Sequence, residues 1–137
     1  MATFTSDSAA ETEALGRQFA EQVKRGSVLA LVGELGSGKT QFTKGLVTGL
    51  GSQAVVTSPT FTIIHEYNDG KLPIYHFDLF RLDDRQRLIR LGLDDYFFGD
   101  GVCVVEWADR FPELMPEQAC WIRFEMPSPE RRTIQIG

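Results

Sequence analysis

Residues 33–40, Gly-Glu-Leu-Gly-Ser-Gly-Lys-Thr, constrain this chain more than any other stretch. They fit the pattern G-x-x-x-x-G-K-[ST], in which each fixed position has a physical job. Glycine permits backbone angles that turn successive N–H groups toward one anion, and Gly36 and Gly38 also remove side chains that would block its approach. Lys39 can reach outer phosphates as a point charge, and the Thr40 hydroxyl can take a place on magnesium. A helix starting at the same point aims its positive dipole end at the same anion.

The surroundings separate a nucleotide site from a chance glycine-rich turn. Residues 27–32, Ser-Val-Leu-Ala-Leu-Val, form an apolar run that predicts a buried parallel strand. Downstream, Phe42, Leu46 and Leu50 recur at helical spacing, and Gly49 and Gly51 stop the helix. Strand, loop and helix in this order predict a nucleotide-phosphate site. Its expected wall is Gly33, Glu34, Leu35, Gly36, Ser37, Gly38, Lys39, Thr40 and the adjoining Gln41.

The rest of the chain predicts an α/β, three-layer fold like that of P-loop NTPases, with parallel central strands flanked by antiparallel ones. A first helix begins near Ser8, which with Glu11 fits a capping box, and Leu15, Phe19 and Val23 make its apolar stripe. Residues 61–67 and 73–79 read as strands around Asn68-Asp69-Gly70, a hairpin signal. A short helix after Arg81, capped by Asp83 or Asp84, turns Leu88 and Leu91 inward, and residues 93–98 add a second. Residues 102–105 read as another buried strand, and 120–125 with 132–136 as a last antiparallel hairpin.

With 137 residues, the natural count is a single domain over residues 1–137, built around the phosphate loop. The net charge of −5 argues against nucleic acid held on a broad basic surface, although a protein partner could still link the chain to RNA. No apolar run approaches a membrane span and no signal peptide is evident, so a cytoplasmic location and no membrane partner are expected. Cys103 and Cys120 form no CxxC pair and read as buried thiols.

A phosphate loop needs an acid at the end of another strand to hold magnesium or orient water. Asp78 ends Ile74-Tyr75-His76-Phe77-Asp78, and Glu106 ends Val102-Cys103-Val104-Val105-Glu106. Both are candidates, and a carboxylate directly after an apolar run is costly to bury without a partner. Trp107 is either a core aromatic or a wall of the nucleotide site. Thr57-Ser58-Pro59-Thr60 is either a polar loop or a switch segment whose threonine senses the outer phosphate. His65 and His76 lack metal-ligand spacing and read as ordinary strand residues. Arg81, Arg85, Arg87 and Arg90, interleaved with Asp83 and Asp84, read as a solvated face, with partner binding or a phosphate contact as the minority reading.

Taken in order, Gly-x-Leu-Gly-x-Gly-Lys-Thr, Thr57-Ser58-Pro59-Thr60-Phe61, Tyr75-His76-x-Asp78-Leu79-x-Arg81-Leu82, Leu91-Gly92-Leu93-x-x-Tyr96 and Glu106-Trp107 resemble the TsaE (YjeE) family. These are bacterial ATPases of tRNA threonylcarbamoyladenosine biosynthesis, and the likeness runs from about Ser8 to the C-terminus. The resemblance implies slow hydrolysis of ATP to ADP with Mg2+, and work in a complex with the TsaB and TsaD proteins, tRNA being touched only indirectly. It also implies roles. Lys39 and Thr40 meet phosphates and magnesium, and Thr60 falls in the switch-like segment. Asp78 and Glu106 match the acidic catalytic positions, with Thr40 near the metal, and Trp107 lies beside the nucleotide. Glu34 stands where the family usually has aspartate.

Other classes fit less well. A small-molecule kinase could use the same loop with residues 85–90 as a lid, but the chain offers no obvious acceptor-binding domain. A GTPase needs a guanine-reading Asn-Lys-x-Asp, which Asn68-Asp69-Gly70-Lys71 does not supply. A binding module without turnover is disfavoured by the intact Lys39, Thr40 and acids.

Overall fold

A computed structural model describes residues 2–57 and 63–137. Its strands are β1 (Ala2–Ser6), β2 (Val28–Gly33), β3 (Ile64–Tyr67), β4 (Ile74–Asp78), β5 (Val102–Glu106), β6 (Cys120–Glu125) and β7 (Arg132–Ile136). Its α-helices are α1 (Ala9–Phe19), α2 (Lys39–Gly49), α3 (Arg85–Leu91) and α4 (Leu93–Phe97). Among the described residues the strands form one sheet in the order β1-β7-β6-β2-β5-β4-β3. The inner strands β6, β2, β5 and β4 run parallel, while β7 and β1 extend one side and β3 the other in antiparallel fashion. The mixed sheet expected from the sequence is the one observed.

Strand alternation sorts the core into two layers. Leu29 and Leu31 of β2, with Val102 and Val104 of β5, pack beneath Phe19, Phe42 and Leu46 of α1 and α2. Val28, Ala30, Cys103 and Val105 point the other way, toward Phe77, Leu88, Leu93 and Phe97. A strand buried on both faces needs apolar residues at both parities, which explains the unbroken runs in β2 and β5. Helices α1 and α2 touch backbone to backbone. A Cβ on Gly16 would lie 2.0 Å from the Phe42 carbonyl oxygen, and one on Gly45 would lie 1.8 Å from that of Glu13.

Local signals act as their chemistry dictates. Ser8 caps α1 by accepting from the Glu11 N–H at 3.1 Å, and the Glu11 carboxylate accepts from the Asp7 N–H at 2.7 Å. Asp84 caps α3 through the Gln86 N–H. Two expectations change. Strand β1 is an addition to the expected elements: Ala2 and Phe4 alternate with Thr3 and Thr5 over only a few, mostly exposed residues, and pairing with β7 along its whole length makes it a strand. The β3–β4 pair is antiparallel as expected, but its connection is not a tight turn at Asn68-Asp69-Gly70 and runs on to Pro73. Asp69 instead accepts from the Ser52 hydroxyl at 2.6 Å and the Gln53 N–H at 2.9 Å, tying this connection to the segment after α2.

Candidate functional site

The sequence Val-Leu-Ala-Leu-Val drives β2 through the middle of the sheet and delivers the glycine loop at its C-terminal edge. Neighbouring β5 and β4 are parallel to β2, so their final residues reach the same edge. Register places Asp78 directly beside Glu106. This is the position where parallel α/β sheets hold ligands, outside the carboxyl ends of adjacent strands.

The loop closes around glycines that cannot be replaced without cost. A Cβ on Gly33 would meet the Ser37 hydroxyl at 2.6 Å and the Phe124 carbonyl oxygen at 2.7 Å, and Gly38 sits at φ 107°. Helix α2 begins immediately after Gly38, with no side-chain cap on its first N–H groups. The Ser37 hydroxyl is buried without a hydrogen-bond partner. Uncapped amides and an orphaned hydroxyl at one helix start are what an anion would satisfy.

Lys39 is buried, and its ammonium donates to the carbonyls of Gly33, at 2.5 Å, and Glu34, at 3.0 Å. The same nitrogen lies 3.9 Å from the centre of the Trp107 ring, which is tilted against Phe80 at a centroid separation of 4.7 Å. Burial lowers the Lys39 pKa below its ordinary value, with the negative fields of Glu106, Asp109 and Asp78 opposing that shift. The lysine thus faces carbonyls, an indole and three carboxylates, a setting for a cation that exchanges one set of acceptors for another.

Across the loop, the Thr40 hydroxyl donates to Glu106, at 3.1 Å to Oε1 and 3.4 Å to Oε2. Glu106 is only 2% exposed, and its Oε2 also meets Nε2 of the fully buried His76. Asp78 is 7% exposed and accepts from the Phe80 N–H at 2.9 Å. A cavity of about 390 Å3 joins these groups, with Lys39, Thr40, Asp78, Arg81, Glu106 and Trp107 on its walls. A second cavity of about 590 Å3 opens on the far side of the loop, between Ser8, Thr12, Glu130 and Arg132, and shares Gly36, Gly38 and Gln41 with the first. The two cavities thus meet at the glycine loop.

Most of the expected residues converge. Leu35, Gly36, Ser37, Gly38, Lys39, Thr40, Gln41, Asp78, Glu106 and Trp107 line the first cavity. Leu35 is 72% exposed at the cavity's rim. Gly33 and Glu34 do not line it; they border a neighbouring cavity and offer their carbonyls to Lys39. Thr60 and the rest of 58–62 lie outside the described residues. His76 is a strand residue that packs and hydrogen-bonds within the sheet, as the sequence predicts, and the group it meets on the neighbouring strand is the candidate acid Glu106. Its placement two residues before Asp78, on a strand buried among apolar neighbours, was the available signal. Around α3, Arg85 lies 3.9 Å from Glu113 and Arg90 3.8 Å from Asp84, both exposed pairs, in keeping with a solvated face.

Among the described residues, no cluster of three or more His, Cys, Asp or Glu side chains could hold a metal alone. Thr40, Asp78 and Glu106 nonetheless suit magnesium, which is bound through one or two carboxylates and fills its octahedron with phosphate oxygens and water. No helix among the described residues is long and apolar enough to cross a membrane.

Comparison with known proteins adds a separate line. The family model described as "Threonylcarbamoyl adenosine biosynthesis protein TsaE" matches residues 6–134. The tRNA threonylcarbamoyladenosine biosynthesis protein TsaE of Bacillus subtilis (strain 168) is 49% identical over 124 residues, covering 90% of this chain and 77% of that protein. The protein of the same name from Treponema pallidum (strain Nichols) is 38% identical over 132 residues, covering 96% and 97%. The crystal structure of Bacillus subtilis YdiB superposes with a TM-score of 0.85 at 41% identity, covering 98% of this chain and 83% of the other.

Proposed function

The chain belongs to the TsaE family of tRNA threonylcarbamoyladenosine biosynthesis, and from that premise we propose that it is a magnesium-dependent ATPase serving the modification machinery. The observation that carries the reading is the Thr40–Glu106 contact directly beneath the glycine loop, with Asp78 in register beside Glu106. A loop alone argues for phosphate binding. A loop threonine joined to a buried acid on a neighbouring strand argues for a metal-assisted phosphoryl site.

In this reading the uncapped N–H groups at the start of α2 and the orphaned Ser37 hydroxyl receive phosphate oxygens. Lys39 leaves the carbonyls of Gly33 and Glu34 for the outer phosphates, whose charge makes them stronger acceptors. Thr40 and one of the two acids, Glu106 or Asp78, would hold magnesium, which when bound neutralises the charge gathering on the transferring group. The carboxylate that is not on the metal orients the attacking water. Trp107 and Phe80 wall the cavity and keep Lys39 within reach. The nucleotide is ATP, converted to ADP, because the chain has no Asn-Lys-x-Asp to read guanine. The partners proposed from family membership are TsaB and TsaD, with tRNA reached through them and the protein working in the cytoplasm.

Lys39→Ala is expected to weaken ATP binding, and Glu106→Ala to cost turnover by about 100-fold with a smaller loss of binding. Calorimetry beside a phosphate-release assay separates the two effects. Hydrolysis at the native rate in both variants would refute the site. For the partner assignment, pull-down from a bacterial lysate with ATP present should recover TsaB and TsaD, and their absence would count against it.

A further inference from the structure

Glu106 is a flexible side chain held in one pose. Its carboxylate is buried, so both oxygens need donors. Thr40 donates mainly to Oε1, and His76 Nε2 lies 2.5 Å from Oε2. A carboxylate oxygen only accepts, so Nε2 carries the hydrogen. That leaves Nδ1 as the bare nitrogen, and it is buried without a partner. Only the Nε2–H form of the ring fits both facts, because a hydrogen on Nδ1 would be a stranded donor. An apolar side chain of similar volume would fill this position on β4 without an orphaned polar atom. His76 contributes what such a residue could not, a directed donor at Oε2.

We propose that His76 is a positioning residue that fixes Glu106 for the metal-bearing nucleotide. The proposal rests on the ATPase reading above. In the described state Thr40 and His76 share Glu106. Magnesium would take a lone pair of the Thr40 oxygen and leave its O–H, so Thr40 can still donate to one oxygen of Glu106, while His76 is the donor that holds the other among the described residues. The effect of His76 is felt where Glu106 faces the metal, so it shows when nucleotide and magnesium are both present. Removing hydrogen-bonded partners of metal-site ligands typically costs about 10- to 100-fold in metal affinity or activity.

Two substitutions separate this role from packing. In His76→Gln the side-chain amide nitrogen reaches the place of Nε2. In His76→Asn it stops near the place of Nδ1 and misses Glu106. ADP affinity is measured by calorimetry with and without magnesium, followed by kcat, with thermal melts to correct for folded fraction. Without magnesium both variants should bind ADP within about two-fold of wild type, whereas with magnesium His76→Asn should lose about 10- to 100-fold of affinity and kcat while His76→Gln stays within about three-fold. A nitrogen-15 NMR experiment on the nucleotide-free protein should find the His76 hydrogen on Nε2.

Equal behaviour of the two variants overturns the proposal, whether both are native-like or both impaired, as does a melting-temperature loss with unchanged magnesium dependence per folded molecule. A hydrogen found on Nδ1 overturns it without touching the ATPase reading. If wild type binds no ADP under either condition, the ATPase reading itself fails.

Discussion

Gly45→Ala sets two physical effects against each other. Helix propensity alone favours alanine over glycine by about 1 kcal/mol in a helix interior such as α2. The structure reverses that sign. A Cβ at Gly45 would stand 1.8 Å from the Glu13 carbonyl oxygen, 2.7 Å from its carbon and 2.8 Å from the Arg17 nitrogen. These are backbone atoms of α1 and cannot swing aside as a side-chain tip would. An ordinary carbon–oxygen contact is about 3.3 Å, so α1 must retreat by about 1.5 Å at this point. A gap of that size forfeits roughly half or more of the dispersion energy along the α1–α2 seam, where Phe19 and Phe42 lie 5.9 Å apart. Overpacking costs about 1–3 kcal/mol and more against rigid neighbours; taking about 3–5 here and subtracting the propensity gain leaves a net loss of about 2–4 kcal/mol. For a chain of this size that lowers Tm by roughly 7–14 °C. Calorimetric melts read this directly, and ADP affinity should fall with it because α2 starts at Lys39. Gly36→Ala is the control: open space around its Cβ, φ of +79°, and a strain of only about 1–2 kcal/mol. A Gly45→Ala protein that melts higher than wild type would refute the reasoning.

The remaining predictions concern the cap and pH. Ser8→Ala removes the acceptor for the Glu11 N–H and should cost about 1 kcal/mol, or about 3 °C in a melt. Burial pushes the Cys103 thiol up from 9.0 to about 12. The folded state then holds this proton more tightly than the unfolded state, so its contribution is complete below pH 9.0 and is lost as pH rises toward 12. Urea melts at about pH 8.5 and 10.5 should show a loss of roughly 2 kcal/mol that Cys103→Ala lacks; equal slopes in both proteins would refute it.

Legibility in the sequence followed the range of the interactions involved. The loop, the helix it starts and the strand before it were readable because glycine geometry, periodicity and capping act within a few residues. Asp78 and Glu106 were readable as acids ending apolar runs, since burying a carboxylate there demands a partner. What stayed hidden depends on who sits beside whom. The register Asp78 to Glu106, and the approach of His76 to a carboxylate 30 positions away, exist only once β4 and β5 pair. Strand β1 is similar: Thr, Phe and a brief alternation favour a strand, but five mostly exposed residues become one only where β7 supplies hydrogen-bond partners. Asp69 looked like a turn residue because the Asp-Gly signal is local, whereas the two donors it serves come from the segment after α2.

Trp107 shows how these levels meet at the site. Strand β5 ends at Glu106, and the next residue adopts φ 61°, ψ 36°, left-handed geometry that costs a side-chain-bearing residue about 1–2 kcal/mol. Glycine there would remove the strain. It would also remove the ring tilted against Phe80 and facing the Lys39 ammonium, contacts each worth about 0.5–1.5 kcal/mol. Gain and strain nearly cancel, so stability alone does not explain a tryptophan at this position. At this turn the indole stands on the cavity wall beside the Lys39 ammonium, next to Glu106 in register with Asp78. The acid that accepts from Thr40 and the ring beside the Lys39 ammonium are therefore adjacent residues. A displacement of either by change in the backbone at 107 must move both.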